Sequence, residues 1–314
     1  TTPKRPVIRD LDSLPTPAWD LIDIQPYHKA WSQHGYFSIN MATTRGCPYK
    51  CNWCAKPIYG NRYNSHSPAA KAEELAYLVR EYGAEHVWFG DDIFGLKPGW
   101  VQSFADELEK RQVKVRFKIQ SRADLLLKDD TVEALARAGC EEVWLGAESG
   151  SQTILDAMDK GITVEQIHES RRQLKKYGIR TAFFLQFGYL GETRDDIDAT
   201  FDMLAESLPD DIGVSVSYPL PGTKFYDRVK ADLGDKTNWT DSDDLALMFR
   251  NNYSPEFYKR LHRYVHKRFR KMQAVEAWGH LLRFRPRPGD VRKAASLAWY
   301  IPASLVEKQR LDRV

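Results

Sequence analysis

Three cysteines fall within eight residues of the sequence. Cys47, Cys51 and Cys54 lie in the segment Arg-Gly-Cys-Pro-Tyr-Lys-Cys-Asn-Trp-Cys, and only Cys140 remains elsewhere in the 314-residue chain. Thiolates at such short spacing favour a soft metal centre, either zinc or an iron–sulfur cluster. Three thiolates on a four-iron cluster would leave one iron open to bind a substrate.

The spacing resembles the Cys-x3-Cys-x-aromatic-Cys motif of the radical S-adenosylmethionine (SAM) superfamily, with Trp53 at the aromatic position. The resemblance implies that the three cysteines hold a [4Fe-4S] cluster and that SAM chelates its fourth iron. It also implies an enzyme that cleaves SAM reductively to a 5′-deoxyadenosyl radical, which removes hydrogen from an unactivated carbon. The electron would come from a low-potential donor such as a flavodoxin or a ferredoxin.

Two other uses of the cysteines stay open. Structural zinc would need a fourth ligand, for which His66 is the nearest candidate, and would make the chain a non-catalytic, zinc-stapled α/β binding protein. Disulfides are disfavoured, because three neighbouring cysteines cannot all pair. A chain of this size with four cysteines and no signal peptide is typical of the reducing cytosol, so we expect a cytoplasmic protein.

The elements that must position the cysteines follow a regular alternation. Strand-like apolar runs occur at 38–44, 86–90, 113–119, 142–147, 180–187 and 212–218. Amphipathic helix-length segments occur near 68–82, 99–111, 129–138, 163–177 and 194–207. Such alternation predicts an α/β fold with a parallel sheet. Six units, not eight, predict a partial (β/α)6 TIM-like barrel, which is the core of the resembled superfamily.

Each predicted strand ends in polar residues, where parallel barrels place their chemistry. By the resemblance, Gly90, Asp91 and Asp92 take the place of the element that binds the methionyl amino group, with Asp91 or Asp92 supplying the negative charge. The other positions that the resemblance assigns to SAM are Trp53, Ser121, Arg122, Glu148, Ser149, Phe187 and Gly188. No residue is assigned to the catalytic step itself.

Arg122 and Glu148 have two interpretations. Arg122 could pair with the methionyl carboxylate while Glu148 accepts hydrogen bonds from the ribose hydroxyls. The alternative is an Arg122–Glu148 pair that only braces two neighbouring strands.

Further segments narrow the resemblance to the cobalamin-dependent branch of the superfamily. They are Asp-Asp-x-Phe after the second strand, Glu-Ser-Gly-Ser after the fourth and Pro-x-Pro-Gly-Thr after the sixth. In that branch a cobalamin-binding domain precedes the barrel. No Asp-x-His-x-x-Gly cobalamin motif occurs in the chain, so we expect cobalamin only through a domain outside it. We predict a proline-rich linker at 1–36, the barrel at 37–230 and a basic helical extension at 231–314.

Basic charge is concentrated in this extension. Residues 258–314 contain 15 Lys and Arg against 4 Asp and Glu, although the whole chain has a net charge of only +3. Basic helices with interleaved aromatic residues either cap a barrel or lie on an anionic membrane surface, which here would be the inner membrane. Because no RNA-binding module accompanies the charge, no nucleic-acid partner is expected.

The predicted reaction is methylation, cyclisation or rearrangement of a small molecule, with a lipid as a candidate substrate. A tRNA-modifying methylthiotransferase is the alternative within the superfamily. That family needs three further cysteines and a terminal RNA-binding domain, and the chain contains neither.

Overall fold

Six parallel strands form the main sheet of the computed structural model, which describes residues 3, 6–54, 62–234 and 247–314. The strands in chain order are β1 (Ser38–Met41), β2 (Thr44–Arg45), β3 (Asn64–Ser65), β4 (His86–Phe89), β5 (Arg116–Ser121), β6 (Cys140–Glu148), β7 (Arg180–Phe187) and β8 (Asp211–Val216). The sheet order is β1-β4-β5-β6-β7-β8, and β2 and β3 form a separate antiparallel ribbon.

One helix precedes β1, and the other helices lie between and after the strands of the main sheet. In chain order they are α1 (Gln25–Trp31), α2 (Pro68–Tyr82), α3 (Trp100–Lys110), α4 (Ala123–Leu126), α5 (Thr131–Ala138), α6 (Gln152–Ala157), α7 (Val164–Lys176), α8 (Arg194–Ser207), α9 (Lys224–Val229), α10 (Pro255–Leu282), α11 (Asp290–Ala295) and α12 (Leu297–Leu311). The alternation confirms the predicted α/β architecture of six βα units. The strand order is linear within the described residues, so the barrel is partial, as predicted.

Local sequence signals explain where several helices begin and end. Ser67 caps α2 with its side chain, Pro68 occupies the first turn, and Gly83 ends the helix with a φ of 65°. Thr193 and Asp196 form a reciprocal capping box at the start of α8. These signals agree with the predicted helix bounds to within one or two residues.

Two predicted strands differ from the observed ones at an end where other groups take the backbone amides. The first predicted strand extends to Thr44, but β1 ends at Met41, since the amides of Thr43 and Thr44 donate to the Asp91 carboxylate. The third predicted strand begins at Val113, but the Val113 amide donates to the Leu108 carbonyl at the end of α3, and β5 begins at Arg116.

The chain divides into two compact units. The first contains Thr1–Lys50, Lys56–Gly146 and Glu165–Ala182, and the second contains Cys51–Ala55, Ala147–Val164 and Phe183–Val314. In the first, Phe89 and Phe117 pack edge to face with ring centroids 5.2 Å apart. In the second, α11 and α12 pack on α10. The predicted boundaries at residues 36 and 230 stay a prediction.

Among the described helices, none combines the length and the apolar composition needed to cross a membrane.

Candidate cofactor site

The cysteine loop begins shortly after β1. Cys47 belongs to the first unit, where it is buried and packs against Ile93 and Leu125. Cys51 and Cys54 belong to the second unit and are half-buried. All four cysteines of the chain lie in described residues, and none forms a disulfide. Residues 55–61, which follow Cys54 directly, lie outside the described residues.

No group of three or more His, Cys, Asp and Glu side chains in the described part of the chain is arranged to hold a metal ion. Structural zinc needs four such ligands around one ion, and the described side chains do not form that closed site. In a four-iron cluster each thiolate binds a different iron, so the sulfurs need not converge on one point. Ligation of a cluster by the three cysteines therefore stays a prediction that rests on the motif.

Asp91 in the first unit holds the backbone that leads into the cysteine loop. Its carboxylate accepts four hydrogen bonds of 2.7 to 2.9 Å, from the amides and the hydroxyls of Thr43 and Thr44. Burial raises the pKa of Asp91 to about 6, although these hydrogen bonds favour the ionised form. With this carboxylate engaged, exposed Asp92 is the better candidate of the pair for a ligand ammonium.

The end of β4 is tied directly to β1. The Gly90 amide donates to the Met41 carbonyl at 2.8 Å, so Gly90, Asp91 and Asp92 follow a fixed strand end.

Arg122, also in the first unit, reaches the cysteine loop. The side chain is buried at the start of α4, directly after buried Ser121. Its guanidinium lies 3.7 Å from the ring centroid of Tyr49, and its Nε donates to Asp124 Oδ1 at 2.9 Å. Arg122 therefore braces the residue that lies two positions after Cys47. The predicted contact with the SAM carboxylate stays a prediction.

In the second unit, Asn52 anchors the cysteine loop, a role that the sequence analysis missed. Asn52 lies between Cys51 and Cys54 and is only 3% exposed. Its hydrogen-bond partners are Ala157, Met158, Asp159, Tyr189 and Phe225. The sequence does show a polar residue inside the cysteine motif. Its anchoring role is not visible there, because its partners are more than 100 positions away in the chain.

Glu148 is paired with a residue that the sequence analysis did not single out. Lys160 Nζ lies 2.7 Å from Glu148 Oε1, and both side chains are less than 10% exposed. Glu148 also has a φ of 60°, in the left-handed region that few residues other than glycine adopt. The carboxylate at the end of β6 is thus held in one place by a buried cation.

The residues after Glu148 dock on α8. Ser149 is buried, and its hydroxyl lies 3.2 Å from the Thr200 hydroxyl, which also accepts a hydrogen bond from the Gly150 amide. A Cβ at Gly150 would lie 2.3 Å from the Ala199 carbonyl oxygen, so only glycine fits this approach. Ser149 therefore fixes the loop, and its predicted contact with SAM stays a prediction.

The end of β7 carries a buried acid. Phe187 is 2% exposed, and the Gly188 amide donates to Glu192 Oε2 at 2.7 Å. Burial raises the pKa of Glu192 to about 8. Glu192 was not predicted as a site residue, although it lies four positions after predicted Gly188.

Trp53 places a buried polar group close to Cys54 that a polar cofactor would fit. Its Nε1 is buried and has no hydrogen-bond partner in the part of the chain that the structure describes. A buried donor without an acceptor costs about 1–3 kcal/mol, so an acceptor on a bound group would stabilise it. Together with three thiols in one loop, this donor fits a cluster with a polar organic ligand.

Comparison with known proteins agrees with the motif. The family model of the Radical SAM superfamily matches residues 41–204, just over half of the chain. An uncharacterized methyltransferase of Pyrococcus horikoshii is 29% identical over 231 residues, which cover 73% of this chain and 49% of that protein. The anaerobic magnesium-protoporphyrin IX monomethyl ester cyclase of Rubrivivax gelatinosus is 28% identical over 241 residues, which cover 75% of this chain and 41% of the cyclase.

A solved structure has the same fold. The radical SAM methyltransferase TsrM of Kitasatospora setae, solved with cobalamin and a [4Fe-4S] cluster bound, matches with a TM-score of 0.58 at 22% identity, over 68% of this chain and 42% of TsrM. The chain spans less than half the length of each of these three proteins. From its motif, its fold and the matched region, the chain belongs to the radical SAM superfamily, whose cofactors are a [4Fe-4S] cluster and SAM.

Proposed function

We propose that this chain is the radical SAM part of an enzyme that modifies an unactivated carbon of a small molecule by methylation, ring closure or rearrangement. The observation that carries the proposal is the spacing of Cys47, Cys51 and Cys54 inside the region that the family model matches. The two sequence relatives are named as a methyltransferase and a cyclase, which are two of the three reaction types. Because the chain spans less than half of either relative, their activities support the proposal without establishing it.

The three cysteines would hold the cluster, and residues at or just after the ends of the strands, together with Trp53, would hold SAM. When bound, the two cofactors supply a carbon-centred radical for hydrogen abstraction. The chain's own residues bind the two cofactors and orient them. We assign the methionyl ammonium to exposed Asp92, its carboxylate to Arg122 and the ribose to Glu148, with Trp53 and Phe187 beside the adenine. Buried Phe187 would also exclude water from the reacting groups.

Cobalamin and an electron donor complete the proposal. We include cobalamin in the proposal because the similar TsrM structure contains it. The chain has no cobalamin motif, so a domain additional to this chain would have to hold the cobalamin. A flavodoxin or a ferredoxin would supply the electron.

We further propose that the enzyme contacts an anionic membrane surface and takes a lipid-like substrate from it. Large apolar side chains are exposed in and beside the last two helices, namely Leu282, Phe284, Val291 and Trp299, each at least 67% exposed. Arg283, Arg285 and Arg287 are also exposed, and in the sequence the first two of them alternate with Leu282 and Phe284. Apolar groups flanked by arginine are complementary to anionic headgroups over acyl chains.

The first prediction tests the cluster. Anaerobic reconstitution of the parent chain should give a brown protein with about four iron atoms per chain. Alanine at position 47, 51 or 54 should each abolish iron binding and the formation of 5′-deoxyadenosine from SAM, because a cluster with three thiolates has no spare ligand. Iron and sulfide analysis, the visible spectrum and product chromatography measure these outcomes.

Cys140→Ala is the matched control. Cys140 is the buried first residue of β6, where its Sγ lies 3.6 Å from the Glu142 carbonyl oxygen. This variant should therefore keep its iron. A colourless parent protein that binds zinc instead of iron would disprove the proposed function.

A further inference from the structure

Every polar group of Asn52 forms a hydrogen bond, and together these bonds fix the residue. Its amide N–H donates to the Met158 carbonyl at 3.0 Å, and its carbonyl accepts from the Phe225 amide at 3.0 Å. Its side-chain Nδ2 donates to the Ala157 carbonyl at 2.7 Å and to Asp159 Oδ2 at 3.1 Å. A buried amide with this many partners has one orientation, because any other leaves buried polar groups unpaired.

Tyr189 completes the set of partners. Its hydroxyl lies 2.6 Å from Asn52 Oδ1 and 2.9 Å from the Ala157 carbonyl oxygen, and its one proton is best placed for the shorter contact. Arg228 Nη1 donates to the same hydroxyl at 3.2 Å, and the Tyr189 ring stacks on Phe225 with centroids 5.0 Å apart. Tyr189 is 1% exposed and lies two residues beyond the end of β7.

Because Asn52 lies within the cysteine motif, this set of contacts also restrains the cysteines. Cys51 precedes it directly, and Cys54 follows two residues later. Fixing the backbone and the side chain of residue 52 limits the conformations open to both neighbouring cysteines. All of these partners belong to the second unit, so the restraint lies within one compact body.

We propose that Asn52 and Tyr189 are positioning residues for the iron–sulfur cluster. They hold the Cys51–Cys54 segment in the conformation that binds iron, and they thereby set the iron affinity and the electronic environment of the cluster. This inference rests on the function proposed above, because the cluster is the group that they position. Residues that orient metal ligands typically change metal affinity or activity by about 10- to 100-fold when they are altered.

Tyr189→Phe is the mildest test, since it removes only the hydroxyl and leaves the ring stacked on Phe225. Asn52 Oδ1 then loses its donor inside the protein. We expect about tenfold faster loss of iron to a chelator and a changed electron paramagnetic resonance spectrum of the reduced cluster. Tyr264→Phe is the matched control, because Tyr264 is also a buried tyrosine of the second unit and packs against Phe201. It should change neither readout.

An exchange of side chains tests the hydrogen bond between residues 52 and 159 directly. Asn52→Asp places a carboxylate oxygen against Asp159 Oδ2 and the Ala157 carbonyl, so its iron should be lost at least as quickly as that of Tyr189→Phe. Adding Asp159→Asn restores a donor and an acceptor with their roles reversed. The double variant should recover part of the iron retention, and this recovery measures the coupling of the two residues.

Each of the following results either supports or overturns the proposal. Rapid iron loss and a changed spectrum in Tyr189→Phe and Asn52→Asp, with recovery in the double variant, support it. Parental iron retention and spectra in both single variants overturn it, even if the melting temperature of the iron-free protein falls, since that combination shows a structural role only. A parent chain that binds no cluster overturns the proposed function together with the positioning role, so the two failures are distinguishable.

Discussion

Glu148 is the carboxylate that we assign to the ribose of SAM, and its partner Lys160 makes the assignment testable. The two side chains form a buried ion pair at 2.7 Å. Glu148→Gln should weaken SAM binding and lower the stability of the iron-free protein by about 3–5 kcal/mol, because it leaves the Lys160 ammonium buried without a counter-charge. Isothermal titration with SAM and denaturant unfolding measure the two effects.

A second substitution separates ligand binding from folding. Adding Lys160→Met to Glu148→Gln removes both charges and should restore most of the lost stability. If Glu148 contacts the ribose, SAM affinity stays low in this double variant. Recovery of SAM affinity together with stability would instead make Glu148 a purely structural member of the pair.

At the residue level, the sequence indicated the residues to which we assign the cofactors, but it did not indicate the residues that contact them in the fold. The three cysteines, Arg122 and Glu148 stand out by type, spacing and position after a strand. Asn52 and Lys160 do not, because their roles depend on contacts that only the folded chain creates. The hydroxyl of Tyr189, for example, meets Asn52 across 137 positions of sequence.

At the level of elements, periodicity was sufficient for the order of the six main-sheet strands and the five helices predicted between them, but not for all of their ends. The short elements α1, β2, β3, α4, α6 and α9 were not predicted. The bounds of β7 were predicted as Arg180–Phe187, and these are the observed bounds, because a run of buried apolar residues marks that strand clearly. The end of β1 was not predictable, since it depends on the Asp91 carboxylate, 48 positions after Thr43. Tertiary hydrogen bonds overrule local strand preference at such ends.

Because of Glu192, in the turn after β7, we expect the free energy of unfolding to depend on pH. Glu192 has a pKa of about 8 in the folded protein because it is buried, well above its usual value of 4.5. Between these two values the folded protein keeps a proton that the unfolded chain has released. The contribution of Glu192 to the unfolding free energy is therefore full below about pH 4.5, decreases as the pH rises, and is lost above about pH 8.

Glu192→Gln should flatten this part of the pH profile. Glutamine is neutral at every pH and its Oε1 can still accept the hydrogen bond from the Gly188 amide. Denaturant unfolding of the iron-free protein between pH 5 and 8 provides the measurement. Asp202→Asn, at an exposed position on α8, is the control and should leave the slope unchanged. A parental slope in Glu192→Gln would show that other groups cause the dependence.

At the scale of the whole chain, the basic extension combines a packed inner face with an exposed outer one. Trp278 Nε1 donates to the Ala294 carbonyl at 2.9 Å, and Lys267 pairs with buried Glu307 at 2.8 Å. Removing the last two helices would therefore expose the surface of α10 that they cover. Phe284, at 92% exposed, lies on the outer face and can be changed without that damage.

The membrane proposal predicts a binding event that such surface substitutions weaken. Changing Arg283, Arg285 and Arg287 to glutamine should lower binding to anionic vesicles about a hundredfold, since each arginine near the surface contributes about 1 kcal/mol. Phe284→Ala combined with Trp299→Ala should weaken the part of the binding that persists at high salt, because apolar insertion is not screened. Co-sedimentation of the intact protein across a salt series measures both effects.

Three other exposed basic residues supply the control for charge alone. Arg80, Lys110 and Arg172 have side chains at least 63% exposed, and changing them to glutamine removes the same net charge from the first unit. Equal losses in the two triple variants would mean that net charge, and not the surface around Phe284, drives the binding. If the intact protein fails to sediment with anionic vesicles even at low ionic strength, the membrane contact is disproved. The lipid-like substrate would then lose its physical support, because no other feature of the described residues favours a lipid over a water-soluble molecule.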